Sequence, residues 1–132
     1  MEEKKIYDWS SKHVLIVEDD ILNFELIKEL LSENMIKITH ATTGLEAVRF
    51  CRKENTFDVV LMDMRLPELD GYQATKKIKE FLPNLTVIAN TAHALTEDKE
   101  KCLSAGCNYY LTKPVNKKLL FETIQDVFNK QM

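Results

Sequence analysis

The stretch Phe57-Asp58-Val59-Val60-Leu61-Met62-Asp63-Met64-Arg65-Leu66-Pro67 is an apolar run that ends on one acid and then meets a proline. Val59 to Met62 is short, continuous and rich in β-branched side chains, which suits a strand buried on both faces of a parallel sheet. Asp63 then stands at the carboxyl end of that strand. In open α/β sheets this is the edge where ligands bind, so an acid there is better placed for chemistry than for packing. Pro67 and the following Glu68-Leu69-Asp70-Gly71 stop the strand and supply turn chemistry. On these residues alone, a solvated loop aspartate is as good a reading as a reactive one.

Outward from this strand, the same pattern recurs. His13-Val14-Leu15-Ile16-Val17 is a second continuous apolar strand, and it ends on Glu18-Asp19-Asp20. Phe24, Ile27, Leu30 and Leu31 then fall at helical spacing between polar residues, predicting an amphipathic helix over 21–33 with Asp20 able to cap it. Ile36 to Ala41 reads as an alternating strand, and Thr43-Gly44-Leu45-Glu46 as a capping box opening a helix to about Lys53. After the central strand, Asp70-Gly71-Tyr72-Gln73 starts a helix that runs to Phe81 and stops before Pro83. Leu85 to Ala89 is a fourth buried strand, followed by Asn90-Thr91-Ala92-His93. The helix beginning at Thr96-Glu97-Asp98 has few apolar positions (Leu95, Cys102, Leu103 and Ala105), so it is the one expected to dock weakly and move. Tyr109-Tyr110-Leu111-Thr112 makes a fifth strand broken by Lys113-Pro114. A last helix from about Asn116 carries Leu120, Ile124, Val127 and Phe128 on one face. Strand and helix thus alternate five times with short connections, which implies parallel strands, right-handed crossovers and a doubly wound α/β sheet.

Composition narrows the function. A chain of 132 residues fits one domain, here 13–132, behind a polar lead-in, 1–12, whose Tyr7 and Trp9 are expected to pack against it. A net charge of -3 offers no basic field for nucleic acid or an anionic membrane. No apolar run is long enough to span a bilayer, and Met1-Glu2-Glu3-Lys4-Lys5 lacks a signal-peptide core, so the cytoplasm is the expected compartment. Cys51, Cys102 and Cys107 have no metal-ligand spacing and read as reduced, mostly buried thiols, with a Cys102–Cys107 bridge as the lesser alternative.

The strands deliver polar groups to one edge: Glu18, Asp19 and Asp20 from the first, Asp63 from the third, Thr91 from the fourth and Lys113 from the fifth. Carboxylates this close repel unless a cation neutralises them or one is protonated. Oxygen-only donors favour a hard ion, and Mg²⁺ takes one or two carboxylates, waters and a phosphate. Beside such a cation Asp63 can act as a nucleophile toward a phosphoryl group, giving an acyl phosphate. Lys113 then answers the new negative charge and the Thr91 hydroxyl hydrogen-bonds a phosphoryl oxygen. One charge pair at about 4 Å and an effective dielectric near 20 is worth ~4 kcal/mol before desolvation. Swinging a two-state element from one extreme to the other takes about 5.5 kcal/mol, so lysine and threonine contacts together are of the right size to drive a switch. Taken singly, each residue has a plainer role: a strand-end lysine, a turn threonine, helix N-terminal acids.

Val17-Glu18-Asp19-Asp20, the run Leu61 to Gly71, Thr91-Ala92 and Lys113-Pro114, in that order, resemble the receiver domain of response regulators in two-component phosphorelays, over about His13 to Gln131. The resemblance implies a flavodoxin-like (βα)5 fold with strand order 2-1-3-4-5. It implies that Asp63 is the phosphoacceptor, that Asp19 binds Mg²⁺ directly and Glu18 binds it directly or through water, together with Asp63 and the backbone carbonyl of Arg65, and that Thr91 and Lys113 hold the phosphoryl group. Ala92 leaves that group room, Tyr110 is the aromatic switch that turns inward as Thr91 moves, and Lys113-Pro114 is a cis peptide. Arg65 and His93 occupy places expected to tune dephosphorylation.

The implied partners are a histidine kinase or histidine phosphotransfer protein upstream and a downstream protein target or attached domain, with a phosphorylation-dependent dimer as a further form. The altered surface would comprise the helix Leu95–Ala105, the strand Tyr109–Thr112 and the last helix. Tyr7-Asp8-Trp9 and Thr91-Ala92-His93-Ala94-Leu95 are similar to receivers attached to hybrid sensor histidine kinases. The expected protein is therefore no turnover enzyme on external substrates. Two other classes stay open at this point. One is a receiver-shaped binding module that needs no phosphate. The other is a magnesium phosphohydrolase, disfavoured because no second acid follows Asp63 by two residues and no inserted cap encloses a substrate.

Overall fold

The computed structural model describes residues 7–53, 56–92 and 96–131. The elements alternate without exception: β1 (His13–Val17), α1 (Ile21–Ser32), β2 (Lys37–Ala41), α2 (Gly44–Lys53), β3 (Val59–Asp63), α3 (Gly71–Phe81), β4 (Thr86–Thr91), α4 (Thr96–Ala105), β5 (Tyr109–Thr112) and α5 (Lys117–Lys130). All pairings are parallel and the strand order is β2-β1-β3-β4-β5. The chain therefore reverses its direction of winding at β1, and the crevice between the carboxyl ends of β1 and β3 is the topological switch point where ligands bind in such sheets.

Two apolar layers follow from the period-2 alternation of the strands. Leu15, Val17, Val60, Met62, Val87 and Ala89 face α2, α3 and α4 through Val48, Ile78 and Cys102. Val14, Ile16, Val59, Leu61, Ile88 and Leu111 face α1 and α5 through Phe24, Ile27, Leu120 and Ile124. Central β1 and β3 are buried at every position, as their continuous apolar runs require. β2 lies at one edge, and its burial is graded along the strand instead of alternating cleanly because only one neighbour covers it.

Helix starts are set by local chemistry. Asp20 Oδ1 accepts from the backbone N–H of Leu22 (3.0 Å) and Asn23 (3.3 Å), capping α1. Asp70 and Gln73 form a complete capping box at α3, with bonds of 2.9 and 3.1 Å. At α2 the Thr43 hydroxyl caps Glu46 N–H (3.0 Å), but the Glu46 carboxylate reaches Thr42 N–H (2.9 Å), one residue before the expected return bond. β4 runs two residues beyond the predicted Ala89. Asn90 and Thr91 continue the ladder, because their carbonyls still accept from Met64 N–H (3.4 Å) and Lys113 N–H (2.8 Å).

The lead-in does pack on the domain. Trp9 is buried, donates its indole N–H to Gln125 Oε1 (2.8 Å), and sets its ring edgewise against Phe121 and Phe128 of α5. Tyr7 stacks on Trp9, and its carbonyl accepts from the Asn34 carboxamide (2.7 Å). Residues 1–6 and the sequence motif members His93, Ala94 and Leu95 lie outside the described residues. The three cysteines are free and buried, so the Cys102–Cys107 bridge is not formed. Among the described residues no helix is long and apolar enough to cross a membrane.

Candidate functional site

β1 and β3 end side by side, with Val17 opposite Met62, so Glu18 and Asp63 leave the same edge in the same row. Alternation points both toward the α1 and α5 side of the sheet, continuing the series Ile16 to Glu18 and Leu61 to Asp63. Glu18 is only 2% exposed and Asp63 4%, and two carboxylates so deeply buried need a counter-charge. Lys113 supplies it. Just past β5, its Nζ lies 3.2 Å from Glu18 Oε1 and 3.2 Å from Asp63 Oδ2. The peptide bond that follows, Lys113-Pro114, is cis.

The second Asp63 oxygen is held as well. Oδ1 accepts the backbone N–H of Arg65 at 3.0 Å, which fixes the carboxylate plane. Behind it, Gly71 opens α3 so tightly against the strand end that an added Cβ would stand 2.3 Å from the Asp63 carbonyl oxygen. Only glycine permits this approach, so the Asp70-Gly71 turn packs directly on the backbone that carries Asp63.

Burial, reinforced by the neighbouring Asp63, pushes the Glu18 carboxyl above the usual carboxylate range, and Asn23 and Lys113 offset part of that. For Lys113, burial opposes the ammonium form, but Asp63 and then Glu18 outweigh it and hold its pKa above the ordinary lysine value. The three groups therefore share one electrostatic system, with two acids and one cation.

Glu18, Asp19 and Asp63 each offer a carboxylate oxygen, and these oxygens lie within 4.8 Å of one another. Glu18 Oε2 is buried without a hydrogen-bond partner. An orphaned buried carboxylate oxygen beside two further acids fits a hard divalent cation, which takes oxygen donors and supplies the missing positive charge. Asp19 is exposed, so the group is open to solvent on one side.

The remaining predicted residues surround this group. Thr91 is buried at the end of β4, one position beyond Asn90, the register partner of Asp63. Tyr110 is half-buried and packs with the α2, α3 and α4 layer, the layer to which alternation also assigns Thr91. Ala92 is exposed beside them, and Arg65 projects into solvent. Lys113 is brought into ion-pair distance of Glu18 and Asp63, Asp19 joins the two acids within 4.8 Å, Thr91 and Tyr110 occupy the adjoining strands, and Ala92 lies just past the end of β4.

Two contributors were not picked out from the sequence. Asn23, in the first turn of α1, donates its carboxamide N–H to Glu18 Oε1. His40, on β2, stacks flat on Phe24 with ring centroids 3.6 Å apart and bonds the Glu18 backbone carbonyl through Nε2 at 2.8 Å. Asn23 lies inside a helix and His40 stands one position before the end of β2, so the pattern that exposed the acids, a polar group closing an apolar strand, passes them by.

The family described as the response regulator receiver domain matches residues 14–125. Hybrid signal transduction histidine kinase I of Dictyostelium discoideum is 42% identical over 119 residues, covering 84% of this chain, which spans 7% of that relative's length. The polar-differentiation response regulator DivK of Brucella ovis is 38% identical over 117 residues, covering 87% of this chain and 94% of its own. Among solved structures, the receiver domain of the Pseudomonas aeruginosa sensor histidine kinase PA1611, with magnesium in its active-site cleft, superposes with a TM-score of 0.82. Its identity is 38%, over 89% of this chain and 98% of that one. A chain of the co-crystal of Saccharomyces cerevisiae Ypd1, a histidine phosphotransfer protein, with the receiver domain of Ssk1 superposes with a TM-score of 0.86. Its identity is 32%, over 97% of this chain and 94% of that one. A match over nearly the whole chain, on a sheet of the same order with its acids at the switch point, makes this protein a member of the response regulator receiver domain family of two-component signalling.

Proposed function

We propose that Asp63 is the phosphoacceptor of a phosphorelay and that the chain works as a phosphorylation-driven switch, not as an enzyme that turns over external substrates. The convergence of Glu18, Asp19 and Asp63 beneath Lys113 Nζ carries this reading. An Asp63 carboxylate oxygen bonds to phosphorus as the bond to the donor's imidazole nitrogen breaks. The electron pair returns to the ring, and the products are an aspartyl phosphate and free histidine. Mg²⁺, when bound, neutralises charge so that an anionic carboxylate can meet an anionic phosphoryl group; Glu18, Asp19, Asp63 and the Arg65 backbone carbonyl would hold it.

Lys113 balances two carboxylates before transfer and follows the phosphoryl charge after it. The Thr91 hydroxyl hydrogen-bonds a phosphoryl oxygen beside Ala92, and Tyr110 turns inward behind it. The surface formed by α4, β5 and α5 is thereby altered for a downstream target, an attached domain or a second copy of the chain. The donor is a histidine kinase or a histidine phosphotransfer protein; the likeness to the receiver in the Ypd1 co-crystal supports the second. We place this relay in the cytoplasm.

The test is transfer from a phosphorylated histidine phosphotransfer protein in the presence of Mg²⁺. The expected result is loss of label from the donor and gain on this chain, abolished by Asp63→Asn. Label retained on every donor tried, with an intact Asp63, would overturn the proposal.

A further inference from the structure

Glu18 carries two oxygens with different surroundings. Oε1 takes both available donors, Lys113 Nζ at 3.2 Å and the Asn23 carboxamide, whereas Oε2 is buried with no partner. Two donors on one oxygen and none on the other is a costly arrangement for a buried carboxylate unless the vacant oxygen has another ligand to meet.

We propose that Asn23 is a positioning residue for the divalent cation: it fixes Glu18 through Oε1 and so reserves Oε2 for the metal. The inference rests on the metal-dependent phosphoacceptor reading and adds to it a residue outside the acidic group. Asn23 is itself held, because its backbone N–H is capped by Asp20 Oδ1 at 3.3 Å. The cap, the first turn of α1 and the Glu18 rotamer thus form one chain of contacts from the helix start to the metal group. Were the carboxamide absent, the Lys113 ammonium, with three donors, would be free to draw both Glu18 oxygens. Any cation would then have to displace an ion pair before binding.

Asn23 is half-buried and lines an open cleft of about 520 Å³ with Asp20, Leu22, Leu26, Lys113 and Pro114. Water can enter if its side chain is shortened, and alanine is a better helix former than asparagine, so Asn23→Ala is expected to fold. The same opening leaves space for Asn23→Gln, which keeps the amide donor.

The experiment is a calorimetric Mg²⁺ titration of the metal-free wild type, Asn23→Ala and Asn23→Gln. It is paired with the rate of phosphorylation by acetyl phosphate as a function of Mg²⁺. Outer-shell partners of metal ligands are typically worth 10-fold to 100-fold in affinity, so Mg²⁺ binding to Asn23→Ala should weaken by roughly that factor, with Asn23→Gln closer to wild type. The half-saturating Mg²⁺ for phosphorylation should rise in parallel, with a smaller change in the rate at saturation. Wild-type affinity in Asn23→Ala, or a fall confined to the saturating rate, overturns the assignment. A wild-type chain that binds no Mg²⁺ at all removes the proposed function and this inference together.

Discussion

Lys113 is the residue on which the charge balance of the site turns. It is 23% exposed and stands between two acids that are almost wholly buried, so truncating it leaves like charges facing each other. Breaking a fully buried ion pair costs about 3–5 kcal/mol; partial exposure brings the expected loss for Lys113→Ala to roughly 2–3 kcal/mol without divalent cation. Saturating Mg²⁺ should return most of it, because a cation bound only by the folded state stabilises by mass action. Urea denaturation with and without Mg²⁺ measures both. A loss that Mg²⁺ leaves untouched would argue that the acids do not share a metal.

At this scale the sequence was legible where a residue's role follows from its place in the chain. Glu18, Asp19 and Asp63 end apolar strands, and Lys113 follows one. Asn23 and His40 were not legible, since each acts across elements through a contact that neither periodicity nor turn chemistry encodes. Asn90 is a further case. Expected just past the fourth strand, it proves to be a buried residue within that strand, and its Oδ1 has no partner.

Among elements, α4 and α5 differ most in how they are held. α5 buries Leu120, Phe121, Thr123, Ile124, Val127 and Phe128, and Trp9 packs across it. α4 buries Cys102 alone among its described side chains. A fully buried large apolar side chain contributes roughly 1.5–3 kcal/mol, so the anchoring of the two helices differs by several such increments. Amide hydrogen exchange should therefore be faster in α4 than in α5 under native conditions. Equal protection of the two would contradict the assignment of α4 as the movable part of the switching surface. The thin apolar stripe of α4 was visible in the sequence. The end of β4 was not, because Asn and Thr favour turns by local hydrogen bonding and only the neighbouring strands show that the ladder continues. Strand existence followed from apolar runs, but strand order came from the family resemblance, since short connections alone permit several parallel arrangements.

For the molecule as a whole, buried thiols set the behaviour at alkaline pH. Burial pushes Cys51 and Cys107 from 9.0 up to about 12. Tyr72 is likewise raised, from 10.0 to about 12, chiefly by burial. Each group is neutral when protonated and has its pKa raised on folding, so between about 9 and about 12 the unfolded chain releases protons that the folded chain retains. The unfolded state then binds fewer protons, and stability must fall as pH rises through that window. Denaturation midpoints measured from pH 8 upward should decline. The native protein at pH 8 should resist thiol reagents that react with all three cysteines after unfolding. Rapid native labelling would mean that the α2 and α3 layer opens more readily than its packing implies.

Whether the acids gathered at the β1 and β3 edge make Asp63 a metal-dependent phosphoacceptor is decided by intact-mass analysis after incubation with acetyl phosphate and Mg²⁺. The expected result is a gain of one phosphoryl group by the wild type, and none by Asp63→Asn or by the wild type with a chelator. No gain in any of the three, or a gain that survives Asp63→Asn, would contradict it; the first outcome would turn attention to a phosphate-independent binding module.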